Sequence, residues 1–179
     1  MYKYGKIIIN IFLILILFII QFSFISGLPG VMSKINFVII ILIFILVLFN
    51  LKLALLWSLE LGILFGFFSF LPFGSHLFCL LISVIFSNFL FKNFFTNRSL
   101  YSFLFLTFFM LIFYNILMMI LLLIYNFFGN YMLLKIDMYF FENKFYELIL
   151  NFIVVIILFY IINFFSKKLK PAFLIYSRK

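Results

Sequence analysis

Acidic side chains are nearly missing from this sequence: four Asp and Glu stand against thirteen Lys and Arg in 179 residues. Charge of either sign is scarce, at 9%, while 69% of the residues are hydrophobic and the mean hydropathy is +1.42. A soluble domain is about 25% charged and about half apolar, so this chain has too little polar surface to meet water on all sides. It reads as an integral membrane protein.

The other scarcities narrow the chemistry. A single cysteine, Cys79, excludes an internal disulfide and a cysteine-based metal cluster. Within its apolar run it reads as a small buried hydrophobe. The single histidine, His76, has no His, Cys or Asp nearby to complete a metal site. There is no P-loop, no G-x-S-x-G, no HExxH and no pair of acids inside an apolar run. An enzyme needs a general base and a polarising group in one pocket. None can be assembled from these residues, so no cofactor is expected, and an intramembrane enzyme such as a lipid transferase is the weakest of the functional readings.

What is abundant is uninterrupted apolar sequence. "IIINIFLILILFII" and "FIVVIILFYII" run on without alternation, whereas the strands of a membrane barrel alternate over about ten residues. The expectation is an all-α polytopic transmembrane bundle forming a single domain over 1–179. About six helices fall near 7–26, 35–49, 51–70, 76–91, 100–128 and 148–165, with a basic tail over 166–179. The first run resembles a signal peptide, but it is too long and lacks an A-x-A-like site, so it reads as a retained helix. Helix 2 is short for a hydrocarbon core of about 30 Å, which asks for about 20 residues. Thr96 or Asn97 is the expected N-cap of helix 5. "GNYMLLKIDMYFFENKFYE" carries Asp137, Glu142 and Glu147 beside Lys135 and Lys144, and reads as a solvated interfacial loop.

Placing alternate loops on opposite sides separates the cations. Lys3, Lys6, Lys52, Lys92, Arg98 and the five basic residues of the tail share one side; Lys34, Lys135 and Lys144 share the other. That asymmetry predicts cytoplasmic termini and an even number of spans. It also accounts for the net charge of +9 as a topology signal that meets anionic lipid, with no nucleic-acid partner implied.

The segment "FGFFSFLPFGSHLFCLL", 65–81, interrupts this pattern. Pro72 ends an i→i−4 ladder, Gly74 can supply a positive φ, and Ser75 or His76 can cap the next helix. A tight helical hairpin follows from these residues without any ligand. Gly62 and Gly66, spaced i, i+4, offer a face on which another helix can approach closely, most simply one of the same bundle. Glu60, read as a turn or so inside helix 3, allows two interpretations. It reaches Lys52 or headgroup water near the cytoplasmic end, or it is a buried polar contact to a partner helix or ligand. Asn88, Asn115, Asn126, Asn151 and Asn163 read as hydrogen-bonding side chains between helices.

With those residues placed, the chain resembles the rod shape-determining MreD family of bacteria. "FIIQFSFISGLPG" is similar to that family's first helix, which closes with a Gln and small residues before a Pro/Gly turn. The run from "SKINFVIII" through "LELGILFGFFSFLPFGSHLFCLL" resembles its central helices and hairpin, and "NFFTNRSLYSFLFLTFFMLIFYNIL" its next loop and helix. The resemblance covers most of 7–125. Members often carry an aspartate before the hairpin, where this chain has Gly66. The resemblance implies a non-enzymatic inner-membrane scaffold of the cell-elongation machinery, regulating cell shape and lateral peptidoglycan synthesis. Its implied partners are an MreC-like bitopic protein and, through it, MreB-like filaments and cell-wall synthases, with no small-molecule substrate. The alternative is the substrate-binding subunit of an energy-coupling-factor vitamin transporter, which has a similar length and helix number but needs a pocket of convergent polar groups.

Overall fold

In hydrocarbon every backbone N–H and C=O must find its partner within the protein, and a helix does so within one segment. The computed structural model describes residues 2–69, 71–95, 98–129 and 138–166. Among these are six α-helices and no strand: α1 (Tyr2–Ile19), α2 (Phe37–Leu48), α3 (Leu51–Phe68), α4 (Ser75–Asn93), α5 (Leu100–Gly129) and α6 (Met138–Ser166). A π-helical stretch, Ile20–Ile25, prolongs α1, and a 3-10 turn, Gly30–Lys34, leads into α2. All but α2 are long and apolar enough to cross a membrane, which makes this a multi-pass membrane protein. Their outer faces carry large apolar side chains such as Phe12, Phe24, Phe67, Phe89 and Phe164, a surface suited to lipid.

The short helix is the centre of the bundle. α2 has 12 residues, about 18 Å of rise, too little to span the core. Ile39, Ile40, Leu42 and Ile43 have no exposure at all, and the buried positions run around its whole circumference. A helix apolar on every side is surrounded by protein or by lipid, and the near-zero exposure of α2 shows that here it is protein. All five other helices surround α2, so its ends need not reach headgroups. Non-helical backbone at membrane depth is tolerated where protein covers it.

The predicted hairpin is present between α3 and α4. Gly74 takes φ 89°, and Ser75 N–H donates to the Pro72 carbonyl at 3.1 Å. A methyl at Gly62 would land on Leu77 Cα and 2.9 Å from its Cβ, and one at Gly66 would lie 3.2 Å from the Phe73 ring. The two glycines therefore serve packing inside the bundle, Gly62 against α4 and Gly66 against the hairpin turn.

Several expectations change. Neither Ser75 nor His76 caps α4: Gly74 holds the N-cap position without a side-chain bond, and the Ser75 hydroxyl donates back to Pro72 at 2.6 Å. α6 begins at Met138, so Glu142 and Glu147 are helical, and Glu147 is buried. No Gly or Pro interrupts "MYFFENKFYE", and its Lys144–Glu147 pair lies one helical turn apart, which favours the helix. Ser99 sits at the start of α5, its hydroxyl 3.4 Å from the Ser102 amide nitrogen. The expected caps Thr96 and Asn97, together with Lys135, Asp137 and the tail beyond Ser166, lie outside the described residues.

Candidate functional site

Burying a short helix creates a local demand. Its first N–H groups have no partner within the helix, and here they begin inside the protein. Asn36, the N-cap, accepts from Ile39 N–H at 3.1 Å. Phe37 N–H donates to Gln21 Oε1 at 2.8 Å, and Gln21 Nε2 donates to the Ile35 carbonyl at 3.0 Å. Asn36 N–H donates to Asn151 Oδ1 at 2.8 Å, while Asn151 Nδ2 donates to the Glu147 carbonyl at 2.6 Å. Gln21 lies in the π-helical stretch, and Asn151 is fully buried on α6. Two distant parts of the chain, the π-helical stretch and α6, thus converge on the start of α2.

The cluster extends sideways. Lys144 Nζ bonds Glu147 Oε2 at 2.7 Å and donates to Asn115 Oδ1 at 2.8 Å, tying α6 to α5. Lys34 bonds Asn143, and its ammonium lies 5.5 Å from the centre of the Tyr146 ring. His76 Nδ1 is hydrogen-bonded to the Tyr114 hydroxyl at 2.8 Å and Nε2 to the Ser69 hydroxyl at 3.2 Å. The histidine thus joins the start of α4 to α5 and to the end of α3. A cavity of about 190 Å³ lies in the middle, lined by Gln21, Asn36, Val38, Phe65, His76, Leu80 and Tyr114.

The sequence-derived candidates are distributed unevenly about this cluster. His76 is a member, and Pro72 and Gly74 shape the turn that positions it. Gly62 faces Leu77 of α4, and Gly66 faces Phe73 in the turn before it. Glu60 stands apart: it is nine residues past Leu51, two and a half turns along α3 rather than one. It makes no ion pair with Lys52. Gln21, Lys34, Asn36, Tyr114, Lys144 and Glu147 were missed as site residues. The available signal was isolated polarity within apolar runs at Gln21 and Asn36. Of the helix asparagines, Asn115 and Asn151 bond to groups outside their own helices.

Chemically, most of this cluster is occupied with itself. Gln21, Asn151 and His76 each use both ends of the side chain on protein groups, and Lys144 and Glu147 neutralise one another. No group of three metal-ligating side chains occurs among the described residues. No family model, curated protein or solved structure matches this chain.

Proposed function

We propose that the chain is a non-enzymatic scaffold of the bacterial cell-elongation machinery, acting through helix–helix contacts in the cytoplasmic membrane. The observation that supports the non-catalytic part of this reading is the use of the polar cluster to complete the backbone of α2. Side chains committed to helix ends hold a shape; they do not transform a substrate. The machinery is argued from the resemblance over 7–125, and the membrane and the cytoplasmic termini from the cation asymmetry, with the short α2 and its flanking turns counted as the sixth crossing. The partners on this reading are the lipid bilayer and an MreC-like bitopic protein, with MreB-like filaments and wall synthases beyond it. Depleting the protein in a rod-shaped host is expected to round the cells; an unchanged shape would remove the proposal. Cysteine labelling at Phe73, 63% exposed in the hairpin turn, is expected from the outer face alone.

A second reading is favoured by one observation, the cavity of about 190 Å³ bordered by Gln21, Asn36, His76 and Tyr114. The substrate-binding subunit of a vitamin transporter requires such a convergence. Ligand pockets for drug-sized molecules run about 300–1,000 Å³, so this one is small for a vitamin. A small molecule retained through purification would decide for this reading.

A further inference from the structure

On the seam between α1 and α3, polar side chains have no internal occupation. Asn10, Trp57 and Glu60 line a groove of about 270 Å³, and an adjoining hollow of about 230 Å³ continues it past Ile63 and Leu64. The walls are otherwise aliphatic and open to the surroundings: Ile11 is 44% and Leu56 57% exposed. Neither Asn10 nor Glu60 forms a hydrogen bond or ion pair with a described residue. The Trp57 indole N–H is buried and has no acceptor among the described residues, on a residue only 9% exposed.

Depth decides what can fill this groove. Glu60 is nine residues from Leu51 and eight from Phe68, so about 12 Å of helix lies on either side of it. With a hydrocarbon core about 30 Å thick, the middle of a spanning α3 falls among acyl chains, which carry neither donors nor acceptors. A second copy packed symmetrically would set Glu60 against Glu60, and like charges at membrane depth oppose each other. Measured along α3, the two hollows extend from Leu53 to Leu64, about 16 Å or three helical turns. That is a footprint for one helix.

We propose that the α1–α3 groove receives a transmembrane helix of a different protein, carrying near its midpoint an ammonium, guanidinium or amide that donates to Glu60. Asn10 supplies a second polar contact. The inference rests on the contact reading above, though not on which machinery the partner serves.

The test uses the full chain in native membranes. A photo-crosslinking amino acid is placed at Leu56 in the groove, or at Phe89 on α4 as an equally exposed control. The expected result is a protein adduct from Leu56 and none from Phe89, mapping to a membrane helix with a donor side chain near its centre. Glu60→Leu should reduce that adduct at least tenfold, as should removal of the partner's donor. Glu60→Gln, which keeps an acceptor, should reduce it less. Unfolding of both variants in detergent, matched to that of the parent, excludes misfolding as the cause. Adducts to lipid only, to a second copy, to a helix without a central donor, or equally from both positions overturn the proposal. A partner-specific adduct in cells that keep their shape on depletion preserves this inference and removes the cell-elongation reading. Rounding without an adduct does the reverse.

Discussion

The start of α2 and the α1–α3 seam both place polar side chains among apolar helices, yet their hydrogen bonding is opposite. Around α2, Gln21, Asn36 and Asn151 meet backbone groups at 2.6–3.1 Å. On the seam, Asn10, Trp57 and Glu60 meet none among the described residues. Between helices in lipid the hydrophobic effect gives little guidance, since acyl chains are as apolar as leucine, so packing and polar contacts carry the association. A polar side chain with its bonds made inside the protein is therefore part of the fold. One left without them beside an open groove, as Glu60 is, has a bond to offer to another protein.

The comparison breaks most readily at Asn151. Asn151→Leu removes the acceptor for Asn36 N–H and the donor to Glu147 in one step. An orphaned buried polar group costs about 1–3 kcal/mol, so a loss of about 3 kcal/mol is expected in reversible unfolding in micelles. A neutral result would mean that α2 does not depend on side chains for its start. Gln21→Leu frees Phe37 N–H and the Ile35 carbonyl. Because Gln21 itself lines the cavity, together with Asn36 and Val38 on either side of Phe37, water can partly replace the glutamine, and about 2 kcal/mol is expected by the same measurement.

These positions also mark where sequence reasoning ended. Helices were legible because apolar runs of helical length and the breaks at "GLPG" and "FLPFG" are local signals, and five of six observed helices begin within about five residues of expectation. The centrality of α2 was not legible. A helix apolar on every side looks the same whether lipid or protein surrounds it, and only its brevity hinted at the difference. The start of α6 was lost because aromatic and charged residues resemble an interfacial surface until Asn115, on another helix, is seen to bond both Lys144 and Glu147. His76 was assigned to its own turn although its partners are Tyr114 and Ser69. Pairings 29–38 residues apart in the chain leave no local pattern.

Within α3 the comparison sharpens to two residues on different sides of one helix. Gly62 meets Leu77 of α4, with no room for a methyl group, whereas Glu60 borders the open groove with α1. Gly62→Ala must push α4 away and is expected to lower stability by about 1.5 kcal/mol, read as a lower unfolding midpoint. Indifference there would mean that the hairpin is looser than its geometry.

Glu60→Leu carries the smallest expected effect on the isolated protein and is the most informative for that reason. A carboxyl at membrane depth is unfavourable unless paired, and this one has no described partner. Replacing it with leucine is therefore expected to leave the unfolding midpoint unchanged within about 0.5 kcal/mol, or to raise it, as substitutions outside a bonded network do. A loss above about 1 kcal/mol would give Glu60 a structural duty and erase the distinction between the two regions. Unchanged stability, combined with loss of the groove contact, would leave association with another helix as the reason an acid stands in the middle of α3.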